Sequence, residues 1–415
     1  MTNLSSAEID VIIIGGGATG AGITRDCARR GLRAALIERD DIATGATGRN
    51  HGLLHSGARY AVSDAESARE CISENRILRR IARHCIEPTG GLFITLPEDD
   101  PAWQQRFVDA CQQAGIDAGV LDPHEARRLE PSLNPALIGT TSTRLDYRHI
   151  DDTRVTAQEV DTLLREGAKL APRLADTRIL RAYAGVRPLV ASDDAPSGRN
   201  ISRGIVLLDH AARDGMEGFI TITGGKLMTY RLMAEWATDA VCRKLGVTTP
   251  CTTAHTPLPG SQASAQETLR KVVSLPAPLR GSAVWRHGDR APQWLSATRT
   301  GQGLVCECEA VTVDEVRYAV ASLGATTLMD LRRRTRIGMG TCQGELCACR
   351  AAGLLARFEV ASATQSLAQL SAFLNERWKG IRPIAWGDAL RESEFTRWVY
   401  LGLGGLEKVE DEDEI

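Results

Sequence analysis

Two groups of residues in this 415-residue chain have the types and spacing of reactive sites. The first is Gly15-x-Gly17-x-x-Gly20, set directly behind the β-branched run 9–14 and directly before a stretch of helical periodicity. In such a turn the first glycine permits the tight bend, the second lets backbone approach a pyrophosphate, and the third lets helix pack closely on strand. The helix N-terminus then offers free N–H groups and a partial positive charge to the phosphates. Glu38 stands eighteen residues past Gly20, at the end of a second predicted strand, where a carboxylate accepts from ribose hydroxyls. The second group is Cys306-x-Cys308 and Cys342-x4-Cys347, two tight pairs with thirty-three residues between them. Four thiolates suit either Zn²⁺ or a 2Fe–2S cluster, although structural zinc more often uses paired Cys-x2-Cys knuckles.

Behind Glu38 comes a second small-residue loop, 44–57, with Thr44 and Thr47 as candidate cofactor contacts and His51 and His55 further along. A simple NAD dehydrogenase usually proceeds to another helix at this point, so the loop favours FAD. Of the two histidines, His55 is placed nearer the flavin. It could act as a base because its ordinary pKa is close to neutrality, or it could only hydrogen-bond the loop. Gly224 and Gly225 precede a helix starting near Thr229 and would let backbone and helix dipole approach the flavin's pyrimidine end.

These residues need an α/β frame to hold them. Strands 9–14 and 34–37 around a helix at about 21–30 make a βαβ opening. Helices are expected over 66–85, 103–113, 151–169 and 229–245, and strands over 90–96, 205–208 and 218–223. Residues 247–303, rich in Pro, Ser, Thr and Ala, read as a linker with one short helix near 267–273. The resulting division is an N-terminal FAD-binding part (8–139), the remainder of the substrate and FAD domain (140–246), the linker (247–303), a cysteine module (304–356) and a helical C-terminal segment (357–415).

Composition agrees with a folded, multi-domain chain: 43% of residues are hydrophobic and 25% charged. Lys and Arg number 50 against 52 Asp and Glu, which argues against bulk nucleic-acid binding. No apolar run is long enough to span a bilayer, and the start of the chain lacks the pattern of an export signal, so an intracellular location is expected. Six of the eleven cysteines are scattered through the first 251 residues and read as small buried hydrophobes. Cys349 is surplus to the late cluster. Arg332, Arg333, Arg334 and Arg336 either offset a cluster's charge or form a solvated helix end.

The segment 11–57, together with 184–189 (Ala-Gly-Val-Arg-Pro-Leu) and 223–231 (Thr-Gly-Gly-Lys-Leu-Met-Thr-Tyr-Arg), closely resembles the FAD-dependent glycerol-3-phosphate dehydrogenases. The likeness extends to the C-terminus, where the cysteine spacing resembles the ferredoxin-like module of bacterioferritin-associated ferredoxin. The resemblance implies a Rossmann-like FAD-binding domain, a substrate sheet, a small 2Fe–2S module and a helical tail. It implies oxidation of sn-glycerol 3-phosphate to dihydroxyacetone phosphate, with Arg187, Arg203 and Lys226 gathering the substrate's phosphate and reacting hydroxyl. It also implies electron transfer through the cluster to a partner flavoprotein subunit, with FMN as that subunit's candidate cofactor, and to a membrane-anchoring iron–sulfur subunit. The complex would lie on the cytoplasmic face of the inner membrane, touching it only through partners.

One departure stands out. In the family, a run like 133–139 leads into about a domain's worth of further chain, whereas here Gly139 continues directly into Thr140. A doubly wound sheet should then lose a strand beside the pyrophosphate, and the substrate sheet should be reduced. Weak FAD retention and low turnover are the expectation. The rivals are a flavin oxidoreductase for another small molecule and a catalytically impaired remnant that serves as a partner-binding subunit.

Overall fold

The computed structural model describes residues 8–94, 100–129, 153–186, 204–272, 276–295 and 303–408. Arg187, Arg203 and the Gly139–Thr140 joint lie outside the described residues.

The chain opens with β1 (Val11–Ile14), α1 (Ala18–Arg29) and β2 (Ala34–Ile37). β1 and β2 pair in parallel, with Val11 opposite Ala34 and Ile14 opposite Ile37, so the predicted βαβ unit forms. Among the described residues β1 has β2 as its one hydrogen-bonded neighbour. Ile13 is buried and Val11 packs against Cys27 and Leu32, while Ile12 is 62% exposed and Ile14 78% exposed. An all-aliphatic strand of this kind belongs in the middle of a sheet, covered on both faces. Among the described residues one edge of β1 has no paired strand and part of a face is exposed.

Next come α2 (Ala65–Ile81), α3 (Pro101–Gln113), α4 (Pro123–Leu129) and α5 (Ala157–Leu170). Asp64 caps α2 by accepting from the Ser67 N–H, and Thr156 with Glu159 forms a capping box on α5. The strand expected over 90–96 does not form in its described part: residues 90–94 are irregular. β3 (Ile205–Asp209) is followed by α6 (His210–Asp214) and β4 (Ile220–Gly224), and β3 and β4 pair as an antiparallel two-stranded ribbon. α7 (Tyr230–Leu245) then packs along α1.

Close approach of α1 and α7 depends on Gly22, where an added Cβ would sit 3.0 Å from the Ala234 Cβ. Arg30 ties the pair by donating to Asp26 at 2.8 Å and to Asp239 at 2.6 Å. A second buried pair joins α7 to α2: Arg231 donates to both carboxylate oxygens of Glu74, at 2.6 and 2.8 Å. These contacts tie α1 to α7 and α7 to α2.

The stretch 247–303 corrects the linker expectation. It carries α8 (Ala265–Arg270), α9 (Ala277–His287) and α10 (Pro292–Leu295), and Ala283, Val284, Trp294 and Leu295 are buried against Tyr318. Arg286 and His287 both reach Glu315, a fully buried carboxylate, at 2.6–2.8 Å. Pro and Ser enrichment reflects turns between short helices here, not a solvated tether.

The cysteine module contains β5 (Leu304–Cys306), β6 (Val311–Thr312), α11 (Val313–Leu323), α12 (Leu328–Thr335) and α13 (Ala348–Arg357). The C-terminal segment adds α14 (Ala363–Ile381) and α15 (Gly387–Trp398). Val305, Val316, Leu331, Ile337, Leu355 and Phe373 share one core, so α14 packs as part of the module. No helix among the described residues is long and apolar enough to cross a membrane.

Candidate functional site

The glycine turn is built by close backbone approach. A Cβ on Gly20 would lie 1.9 Å from the Gly15 carbonyl oxygen, and Gly15 itself has φ +109°. α1 has Gly17 at its N-cap and no acidic residue in its first turn, so its positive end favours an anion, although its first N–H, of Ala18, is already taken by Thr47. Over it lies a cavity of about 420 Å³ lined by Gly17, Glu38, Asp40, Thr44, Gly45 and Thr47. The Thr47 hydroxyl accepts from the Ala18 N–H at 3.0 Å, and Thr44 donates to the Asp41 carbonyl at 3.0 Å. Glu38 accepts from the Gly16 N–H at 2.5 Å and from the Arg39 N–H at 2.7 Å. The Gly16 bond, above all, holds its carboxyl below the usual carboxylate range and so keeps it an acceptor. Arg39 and Ala46 complete this lining, and its donors and the Glu38 acceptor suit a pyrophosphate and a ribose. The residues present fit the adenosine end of FAD.

The loop behind this cavity is clamped by α2, whose Asn75 donates to the carbonyls of Leu54 and His55 at 3.1 and 3.3 Å. His55 accepts the Gly57 N–H on Nδ1 at 3.1 Å, and His51 likewise accepts the Leu53 N–H. A neutral His55 therefore carries its proton on Nε2, which makes it a donor on that side and disfavours the role of base. Its ring meets Tyr60 edge-on at 5.8 Å, and the Lys226 ammonium lies 5.0 Å from the same Tyr60 ring. The structure thus brings His55 and Lys226 to one aromatic side chain.

Lys226 follows two glycines in left-handed conformation. A Cβ on Gly224 would lie 2.3 Å from the Gly204 carbonyl oxygen. The ammonium donates to Ser67 Oγ at 2.9 Å. Two neighbours are not foreseeable from the sequence pattern: Arg59, 5.4 Å from the Tyr60 ring, and Glu70, whose Oε2 is buried without a partner. Burial pushes the Glu70 carboxyl up while Lys226 pulls it down. Only the i, i+3 spacing of Ser67 and Glu70 on α2 hints at this.

In the module the four predicted thiols assemble as two pairs. Cys306 is hydrogen-bonded to Cys347, and Cys308 to Cys342. The bond to Cys347 brings the Cys306 thiol down to about 6, with help from the Glu309 and Gly338 N–H groups, while the same bond raises Cys347. The Thr341 hydroxyl, chiefly, lowers Cys308. Gly340 makes room, since a Cβ there would lie 2.3 Å from the Cys308 Cβ. Among the described residues no three His, Cys, Asp or Glu side chains converge on one metal ion. A zinc site needs all four sulfurs around one point, whereas a 2Fe–2S cluster needs two irons with two thiolates each, which suits paired thiols. Cys349 is exposed and stays outside the set.

The arginine run is not a cluster counter-charge. Arg333 bonds Asp41 and Asp330, Arg334 the Leu323 carbonyl, and Arg336 Glu309. The cations whose charge reaches the thiols are Arg350, which also pairs with Glu307 at 2.6 Å, and Arg377, which donates to the Cys342 carbonyl. The Arg333–Asp41 contact also docks α12 beside the cavity at Glu38.

Comparison with known proteins agrees with both centres. The FAD dependent oxidoreductase family matches residues 10–141 and 134–231, and the BFD-like [2Fe-2S] binding domain matches 304–357. A subunit of the anaerobic glycerol-3-phosphate dehydrogenase of Escherichia coli (strain K12) is 58% identical, over 98% of this chain and 99% of that protein. The chain belongs to the family of these dehydrogenase subunits. The counterpart in Haemophilus influenzae is 52% identical over 99% of the chain and 96% of its own length, and that of Haloferax volcanii 34% identical over 94% and 89%. The alignment with the E. coli protein runs over 536 positions, more than the chain's 415 residues, so the relative carries a stretch opposite a gap here. The two oxidoreductase matches meet at 134–141, the stretch that contains the Gly139–Thr140 joint. A crystal structure of a glycerol-3-phosphate dehydrogenase from Bacillus halodurans complexed with FAD aligns at a TM-score of 0.56 with 19% identity, covering 92% of this chain and 97% of that one. At that identity it supports the fold alone.

Proposed function

We propose that this chain is the flavin- and cluster-bearing subunit of an anaerobic dehydrogenase that oxidises sn-glycerol 3-phosphate to dihydroxyacetone phosphate. The observation that carries this reading is the occurrence, in one chain of this family, of an open glycine-turn pocket and two thiol pairs docked to each other through Arg333 and Asp41. When bound, FAD supplies the hydride acceptor, and the cluster converts a two-electron input into single-electron steps.

The chain's own residues do the rest. Lys226, placed against Tyr60 and Ser67, stabilises negative charge developing on the substrate's secondary hydroxyl. Arg187 and Arg203 hold the phosphate, the bidentate task to which guanidinium is suited. His55 offers its Nε2 proton as a hydrogen bond to the reacting oxygen. Electrons leave to a partner flavoprotein subunit, with FMN as its candidate cofactor, and a membrane-anchoring iron–sulfur subunit passes them to the quinone pool. This places the complex at the cytoplasmic face of the inner membrane, with contact made through partners.

A second reading is favoured by one observation: among the described residues β1 has one edge without a hydrogen-bonded strand and Ile14 is 78% exposed, in a chain that is shorter than its alignment with the relative. The chain would then be a remnant that keeps its cluster and partner contacts but holds flavin poorly. The visible spectrum of anaerobically purified protein, with flavin and iron counted per chain, separates the two. Flavin bands and 2Fe–2S absorption that both bleach with glycerol 3-phosphate establish the dehydrogenase. Iron without flavin establishes the remnant, and neither centre overturns both readings.

A further inference from the structure

Three guanidinium groups meet where the flavin loop, the segment after α5 and the cysteine module touch. Arg49 comes from the loop, Arg181 from the segment 177–186, and Arg332 from α12. One carboxylate stands among them: Glu376 of α14, whose Oε1 takes Arg181 Nη2 at 3.3 Å and Arg49 Nη2 at 3.9 Å. Arg332 lies close enough to Arg181 and Glu376 to feel both charges, yet makes no ion pair or hydrogen bond among the described residues. Its Nε is sealed from solvent without a partner, and so is the Nε of Arg181. The neighbouring cations turn elsewhere, Arg333 to Asp41 and Arg377 to the Cys342 carbonyl and Glu345.

Buried charges are retained when they are paired, because a lone buried cation loses its hydration and gains nothing in return. Among the described residues the three guanidiniums share one carboxylate; Arg49 also donates to the Thr153 hydroxyl, which Lys379 reaches as well, while the Nε donors of Arg181 and Arg332 stay unanswered. Planar guanidinium forks from three different elements match the oxygens of a tetrahedral oxyanion, which can accept from several of them at once. We propose that this junction is a binding site for a small dianion of the phosphate or phosphate-monoester class, separate from the substrate end at Lys226. Because Arg49 belongs to the flavin loop and Arg332 to the cysteine module, an anion held between them ties the module to the loop. The inference goes beyond the proposed reaction and does not require turnover.

The test is thermal unfolding of the full chain in inorganic phosphate against sodium chloride at matched ionic strength. The expected result is a rise of several degrees specific to phosphate and saturating in the millimolar range. Arg332→Gln should lose that rise while remaining folded, since it removes an unpaired cation. Glu376→Gln, which removes the competing carboxylate, should lower the phosphate concentration needed by several-fold. Lys226→Met, which alters only the substrate end, should keep the rise. Equal effects of phosphate and chloride would overturn the proposal. So would a rise that survives Arg332→Gln but is lost in Lys226→Met, or a weaker phosphate response in Glu376→Gln.

Discussion

Gly20 shows how tightly the cofactor turn is specified at the level of one atom. Its missing Cβ is what lets the Gly15 carbonyl close the turn, so Gly20→Ala must push the start of α1 away from β1. The expected outcome is loss of most bound flavin with little change in helix content, read by flavin absorbance per chain beside far-ultraviolet circular dichroism. The glycines and Glu38 were legible in the sequence because turn, strand and helix are local, and their chemistry follows from spacing along the chain. Arg377 was not, because it faces Cys342 across the module's fold, and Arg350, though only three residues past Cys347, reaches Cys306 only once the module is folded. Arg350 places a positive charge beside Cys306 and Cys347. Arg350→Gln should therefore shift the cluster's reduction potential to a more negative value, measured by anaerobic redox titration; an unchanged or raised potential would show that its charge is screened there.

Among the elements, α2 and α7 carry the pocket on a buried ion pair. Arg231 keeps Glu235 at 2.5 Å when Glu74 is neutralised, so Glu74→Gln should destabilise the chain by about 1.5–3 kcal/mol, the cost of its lost charged hydrogen bonds. The double variant Glu74→Gln, Arg231→Met should recover most of the loss in denaturant melts, because both charges are then gone. β1 depends on a different pair, at the surface: Asp10 accepts from the Arg33 N–H at 2.8 Å and from the Arg33 guanidinium at 2.7 Å. Those bonds bring the Asp10 carboxyl down to about 2. A carboxyl depressed by folding contributes its stabilisation above its unfolded pKa, near 4, and loses it as pH falls through about 2. The protection factors of β1 amides should thus fall between pH 4 and pH 2, and Asp10→Asn should remove that pH step. Helical periodicity located α2, α3 and α7 to within a few residues. It failed over 276–295, where Pro, Gly and Arg break the pattern and burial of Trp294 against Tyr318, a contact distant in sequence, decides the structure.

At the scale of the whole molecule, the described residues of the oxidoreductase part form two short two-stranded sheets, β1–β2 and β3–β4. The sheet could be foreseen as reduced from the abrupt Gly139–Thr140 joint, but the docking of module onto flavin half could not, since Arg333–Asp41 and Glu376 with Arg49 and Arg181 link residues far apart in sequence. The buried Glu315, gripped by Arg286 and His287, has a practical corollary for anyone cutting the protein into pieces. A fragment starting at residue 304, where the family match begins, would strand that carboxylate and bare Tyr318. It should express mainly as insoluble material, while one starting near residue 260, which retains α9 and α10, should stay soluble and resist trypsin. The working frontier between the two halves therefore lies ahead of α8, well before the first cysteine of the module.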